Sequence, residues 1–191
     1  MRRAAGVMAA ASLALPGPAP AIAQAPPVPP PAEQHTADCR APVFATDQLV
    51  CADPALRALD SEVATLLAEA GPPAASRWIE AQDQWFLRRS RCAFAADHRA
   101  CAEAAYRERL ALLRPLDPAL ARQPVRCEPP GIAAIAIGLD RIVLVDRAGK
   151  VAGAAAADAG ESSWQPFLTA TRRKATFAIR TSAGDAQRCR R

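Results

Sequence analysis

From residue 38 onward the hydrophobic period of the chain changes once. Between Asp53 and Leu113 apolar residues recur every three or four positions, the spacing of helices with one buried face. Leu56, Leu59, Val63, Leu66 and Leu67 form the first stripe. Asp53 is placed to cap it, Pro54 suits the first helical position, and Gly71-Pro72-Pro73 ends it. Asp60 lies one position from Leu59, either solvated at the stripe's edge or buried against a paired cation. A second helix is expected over about 74–91, with Trp78, Ala81, Gln82, Trp85 and Arg89 able to share one face. Arg88, Arg89 and Arg91 then sit near its C-terminus, where the helix dipole favours cations. A third helix is expected over about 101–113, ending before Pro115 and presenting Tyr106, Arg109, Leu110 and Leu113. The stretch up to Val50, with Pro42 and Thr46-Asp47, reads as a loop or short turn.

Beyond this point the pattern shortens. Residues 116–126, with Pro118 and Pro124, read as a linker. Ile132 to Ile137 and Arg141 to Val145 are β-favouring runs around Gly138, and Ala148-Gly149-Lys150 is a turn. Phe167 to Thr169 and Ala175 to Thr181 follow, the latter with Thr176, Ala178 and Arg180 alternating against Phe177 and Ile179. The expected class is α+β: a disulfide-stapled three-helix domain over residues 38–115, then a small antiparallel β domain over 127–191.

The N-terminus supplies the compartment. Arg2 and Arg3 precede an apolar run, Ala4 to Leu15, too short to span a bilayer, and Ala21-Ile22-Ala23 offers small residues at a cleavage position. Residues 1–23 therefore read as a signal peptide and the proline-rich 24–37 as an extended tether. No membrane span is expected in the mature chain, and the expected location is periplasmic or secreted. In an oxidising compartment six cysteines read as a disulfide framework. Cys51, Cys92 and Cys101 belong to helix ends that antiparallel packing brings together, and Cys39 can reach them; these four allow three pairings. Cys127 and Cys189 bracket the β region, and a bond between them would stabilise it by about 4 kcal/mol on the chain-entropy estimate.

Charge and chemistry narrow the function. The formal charge of +5 falls to +3 without Arg2 and Arg3, and aromatics are 5 % of the chain, so no nucleic-acid platform is indicated. There is no C-x-x-C, and His35 and His98 are the histidines, so neither a metal nor a cofactor is expected. His98 lies near Cys92, but a thiol nucleophile needs a free cysteine. No G-x-S-x-G, H-E-x-x-H or phosphate loop occurs. A non-enzymatic role is expected.

Three spacings carry a resemblance. Val50-Cys51-Ala52-Asp53-Pro54 with Leu56 and Leu59-Asp60, then Gln82-x2-Trp85-x3-Arg89-x2-Cys92, then Cys101-x4-Tyr106-x2-Arg109-x3-Leu113, resemble the LprI-type lysozyme inhibitor N-terminal domain family over about residues 38–114. The resemblance implies a small exported, disulfide-bonded helical domain with a lysozyme-inhibitory or cell-envelope role. It also implies structural roles for its signature residues: Asp60 with Arg89 or Arg109 as an internal ion pair, and Trp85 with Tyr106 as packing.

The C-terminal region is similar to the membrane-bound inhibitor family of c-type lysozyme. Cys127, Ala159-Gly160 before Trp164, Ala175-Thr176-Phe177 and Cys189 carry that similarity. Where that family has a Ser-Gly pair this chain has Ala159-Gly160, and near its Lys-Gly pair this chain has Thr171-Arg172. Ser162, Arg172, Arg173 and Lys174 are the candidate substitutes, since a cation suits a cleft built around a carboxyl pair. The expected function is occlusion of a lysozyme cleft by an exported binding protein. The alternative is a non-catalytic envelope module that binds another protein or peptidoglycan.

Overall fold

The structure, a computed structural model, describes residues 35–157 and 162–191. The signal-peptide segment, most of the proline-rich tether and Ala159-Gly160 lie outside the described residues. Among the described residues there are four α-helices and two antiparallel sheets: α1 (Ala45–Ala52), α2 (Pro54–Ala70), α3 (Gln82–Ser90) and α4 (His98–Leu113), then β1 (Arg122–Pro124) to β8 (Ala186–Arg190).

The start of α2 follows its sequence signals. The Asp53 carboxylate accepts from the amides of Ala55 and Leu56, Pro54 takes the first position, and Gly71 closes the helix at φ +72°. The loop expected before Val50 is instead α1, in which Thr46 and Asp47 are buried and bonded rather than forming a turn. Thus four helices stand where three were expected. The second expected helix is also shorter than its pattern. Trp78 lies in the loop ahead of α3, beside a bridge between Ser76 and Ile79, and packs into the β region. The start of α4 moves forward to His98, because Asp97 accepts from the amide of Ala100 at 2.8 Å.

The first sheet has the order β1-β3-β4-β5, where β3 is Ala134–Ile137, β4 Arg141–Val145 and β5 Val151–Ala156. The second has the order β2-β8-β7-β6, where β2 is Arg126–Glu128, β6 Leu168–Arg173 and β7 Thr176–Thr181. Residues 116–126, expected as a linker, therefore contribute β1 and open β2.

Helices, first sheet and second sheet stack in that order. Ala136, Val143, Val145 and Ala154 of the first sheet pack on the α4 side with Ala111 and Leu112. Its Ile135, Leu144 and Ala155 pack with Leu168, Phe177 and Ile179 of the second. A sheet buried on both faces reads as a continuous apolar run, which explains Ile142-Val143-Leu144-Val145. The alanines of β5 let the layers approach. At Gly153 a Cβ would stand 2.8 Å from the Trp78 carbonyl oxygen and 2.9 Å from its Cβ, so glycine is required by space.

Arg141 joins the layers through backbone. Its guanidinium donates to the carbonyls of Ala111, Arg114 and Pro115 at 2.9, 2.8 and 2.6 Å. The first is an orphan carbonyl in the last turn of α4 and the other two belong to the cap Arg114 and to Pro115 just beyond it, at the end of a helix without a basic residue in its own last turn.

Candidate functional site

The signature residues of the helical region meet in one buried network. Arg89, on α3, is fully buried; it pairs with Asp47 of α1 and donates to the Tyr106 hydroxyl at 2.7 Å. Tyr106 in turn donates to Asp60 at 2.7 Å, and the amide of Ala37 donates to the same oxygen at 3.2 Å. The ion-pair partner of Arg89 is thus Asp47, and Asp60 is reached through Tyr106. Four helices meet in the network: α1 supplies Asp47, α3 Arg89, α4 Tyr106, and α2 Asp60, which is joined to the rest through the Tyr106 hydroxyl. Trp85 packs edge-on against Tyr106, with ring centroids 5.6 Å apart.

Arg109 makes a separate branch. Its Nε donates to Gln82 at 2.6 Å and its Nη1 to the Glu80 carbonyl at 3.0 Å, while Gln82 donates to the His35 carbonyl at 2.8 Å. The end of the tether is therefore held on the bundle. Burial pushes the Asp60 carboxyl above its ordinary value, against the hydrogen bond from Tyr106. Burial raises the Tyr106 hydroxyl as well and lowers Arg109 to about 10.

The disulfides resolve the open pairings: Cys39 with Cys51, Cys92 with Cys101, and Cys127 with Cys189. No cysteine is free, so Cys92 has no thiol to offer His98, whose Nε2 lies 3.0 Å from the Thr46 hydroxyl. Among the described residues no group of three or more His, Cys, Asp or Glu side chains is placed to hold a metal ion. None of their helices is long and apolar enough to cross a membrane.

A second polar cluster lies where the helices meet the β region. Glu108 of α4 accepts from the Trp164 indole at 2.7 Å and from the amide of Phe167 at 2.6 Å. Arg88 bridges Glu80 and Glu108, donates to the Gln165 carbonyl at 2.6 Å, and stacks 4.1 Å above the Trp164 ring. Burial pushes Glu108 up, and the charge of Arg88 opposes it. Beside this cluster an open cleft of about 320 Å³ is lined by Arg88, Arg91, Trp164 and the Cys92–Cys101 bridge, with the exposed ring of Phe94 at its edge.

The candidate binding residues divide. Arg172, Arg173 and Lys174 are exposed together at the β6–β7 hairpin, where Lys174 turns the chain at φ +52°. Ser162 is not on that hairpin; it lies ahead of Trp164, and its hydroxyl accepts from the Trp164 amide at 3.4 Å. Glu108 carries contacts that no local pattern announces, while Asp47, expected in a turn, is the buried partner of Arg89, and Arg141, expected only in a strand, ties that strand to α4. A signal existed for β8, where Gln187 and Cys189 alternate with Arg188 and Arg190. No comparable spacing marks Asp47, whose partner is 42 residues away. No family model matches the chain, and no curated protein and no solved structure matches it either.

Proposed function

We propose that this chain is an exported, non-catalytic binding protein of the lysozyme-inhibitor type, which acts by occluding a lysozyme cleft with its β6–β7 hairpin. The observation that carries this reading is the placement of Arg172, Arg173 and Lys174. The three cations share one exposed turn, and no ion pair engages them among the described residues. A narrow hairpin ending in cations is complementary in shape and sign to a cleft whose chemistry rests on two carboxyl groups. The staple from Cys127 to Cys189 joins β2 to β8, next to the strand that leads out of this turn. Such a hairpin loses little further freedom on docking.

The buried acids and bases support a structural use of the remaining polar residues. Asp47, Arg89, Tyr106 and Asp60 are occupied with one another, which leaves the surface to carry recognition. The test is a titration of c-type lysozyme on cell-wall substrate with the oxidised protein, alongside the variant Arg172→Ser, Arg173→Ser, Lys174→Ser. Saturable inhibition that the variant loses is the expected result. Inhibition that is absent, or unchanged in the variant, would overturn the reading.

A further inference from the structure

The two halves of the chain carry opposite charge. Residues 38–121 hold ten Lys and Arg against twelve Asp and Glu, a net of −2, whereas residues 122–191 hold twelve against six, a net of +6. The register of the second sheet gathers part of that excess on one face. Arg126 stands opposite Arg190, Arg190 opposite Thr176, and Thr176 opposite Arg173. Two residues along, the row is Glu128, Arg188, Ala178 and Thr171, and a third row carries Arg180. Cys127, Cys189, Phe177 and Ile179 occupy the opposite, buried face. Five arginines and one acid thus share the outward side of four strands, an area of roughly 15 by 17 Å from ordinary strand spacings.

Among the described residues no carboxylate engages these cations, Arg126, Arg173, Arg180, Arg188 and Arg190. Like charges directly across a strand pair destabilise a sheet. We propose that this face binds an anionic polysaccharide. The inference goes beyond lysozyme inhibition and does not depend on it.

Three features choose that partner. The charged residues facing outward as cations are all arginine, whose planar fork suits carboxylate and sulfate groups. The hydroxyls of Thr169, Thr171 and Thr176 donate back to carbonyls of Arg180, Ala178 and Arg173 at 3.3, 3.5 and 2.8 Å. Their oxygens keep lone pairs that accept from sugar hydroxyls. The outward positions of these strands hold no aromatic or large apolar side chain. Bases of a single-stranded nucleic acid therefore find no stacking platform, and a bilayer finds nothing to insert.

The experiment uses the full oxidised chain and fluorescence anisotropy of an end-labelled oligogalacturonate, at low and high sodium chloride. Dextran, oligo(dT) and phosphatidylglycerol vesicles serve as the neutral polymer, the nucleic acid and the lipid surface. The expected result is binding that salt weakens and that Arg126→Gln, Arg188→Gln, Arg190→Gln weakens about tenfold or more. The pair Arg57→Gln, Arg147→Gln, at exposed cations elsewhere, should bind as the parent does. An absent signal, equal binding of dextran, equal losses in both variant sets, or tighter binding of oligo(dT) or vesicles would overturn the proposal. The triple face variant should still inhibit lysozyme if the hairpin does, so the two readings fail separately.

Discussion

The helical region and the β region solve the problem of a small core in opposite ways. The helices bury charge: Asp47 and Arg89 are fully enclosed, and Tyr106 links them to Asp60. Between the sheets Ile135, Leu144, Phe177 and Ile179 are apolar and fully buried, and the second sheet turns its arginines outward. The difference follows from geometry. Helices meet at angles and leave uneven space that long side chains fill, whereas two pleated sheets interdigitate alternate side chains across one thin layer. Each solution leaves a different weak point. The bundle depends on every member of a polar network being present, and the sandwich depends on close approach and on the covalent tie at its end.

The largest effect should come from breaking the network. Asp47→Ala leaves Arg89 buried without its counter-ion and should cost about 3 to 5 kcal/mol in denaturant unfolding. The double variant Asp47→Leu, Arg89→Met should lose far less than the sum of the single changes, because a buried ion pair and an apolar pair of similar volume are often close in stability. Additive losses would mean that the two side chains do not act as a unit.

Close behind is the long staple. Replacing Cys127 and Cys189 by serine removes a cross-link over 62 residues and should cost about 4 kcal/mol on the chain-entropy estimate. The same change at Cys92 and Cys101, 9 residues apart, should cost about 2.5 kcal/mol. Midpoints measured under oxidising conditions give the order, and equal losses would place the stabilisation in local geometry rather than in chain length.

These two regions were not equally legible. The helix α2 could be read nearly residue by residue, since Asp53, Pro54 and Gly71 are local signals that act within one turn. The end staple was legible because Cys127 and Cys189 bracket a change of period. The helix α1 was not, because Thr46 and Asp47 are turn formers by local preference; one local bond, from the Phe44 amide to Asp47 at 3.1 Å, helps start the helix, and the distant partners Ser90 and Arg89 fix the rest of their polar groups. Trp78 failed in the same way. Its spacing to Trp85 fits a helix face, but the space over Gly153 draws it into the β region. The hairpin cations were visible as a run, whereas the arginine face was not, since register alone brings Arg126 beside Arg190.

A smaller effect tests that close approach. Gly153→Ala places a methyl group within 3 Å of Trp78 backbone and Cβ, atoms that cannot rotate away, and should cost about 1 to 3 kcal/mol. Gly138→Ala meets neighbours no nearer than 3.5 Å and should cost less. Equal thermal midpoints for the two variants would remove Gly153 as a spacing residue.

Within the helical region, acid titration separates the capping carboxylate from the buried one by sign. The amide of Leu56 and the charge-assisted bond from Arg99 hold Asp53 below the ordinary carboxylate value, so its contribution is present above that value and lost as pH falls through the folded one. Asp60 is raised by burial, so its ionisation costs stability as pH rises from the ordinary value through the raised one. Asp53→Asn should therefore cost more at neutral than at acid pH, and Asp60→Asn more at acid than at neutral pH. Unfolding midpoints at both pH values check this, and the same sign for both variants would contradict the burial of Asp60.

The smallest expected change bears most directly on function. Arg190 faces Arg126 across the β2–β8 pair with no acid bonded to either, so Arg190→Gln should stabilise the sheet by about 0.2 to 0.5 kcal/mol at low salt. High salt should erase the gain, because both side chains are exposed and screened. A substitution that improves the fold and weakens polysaccharide binding would identify the repulsion as tolerated for recognition, the usual relation between a binding surface and stability. If Arg190→Gln instead destabilises the sheet, the arginine stem is packing on its neighbours, and the cationic face has a structural reason to exist before any ligand is invoked.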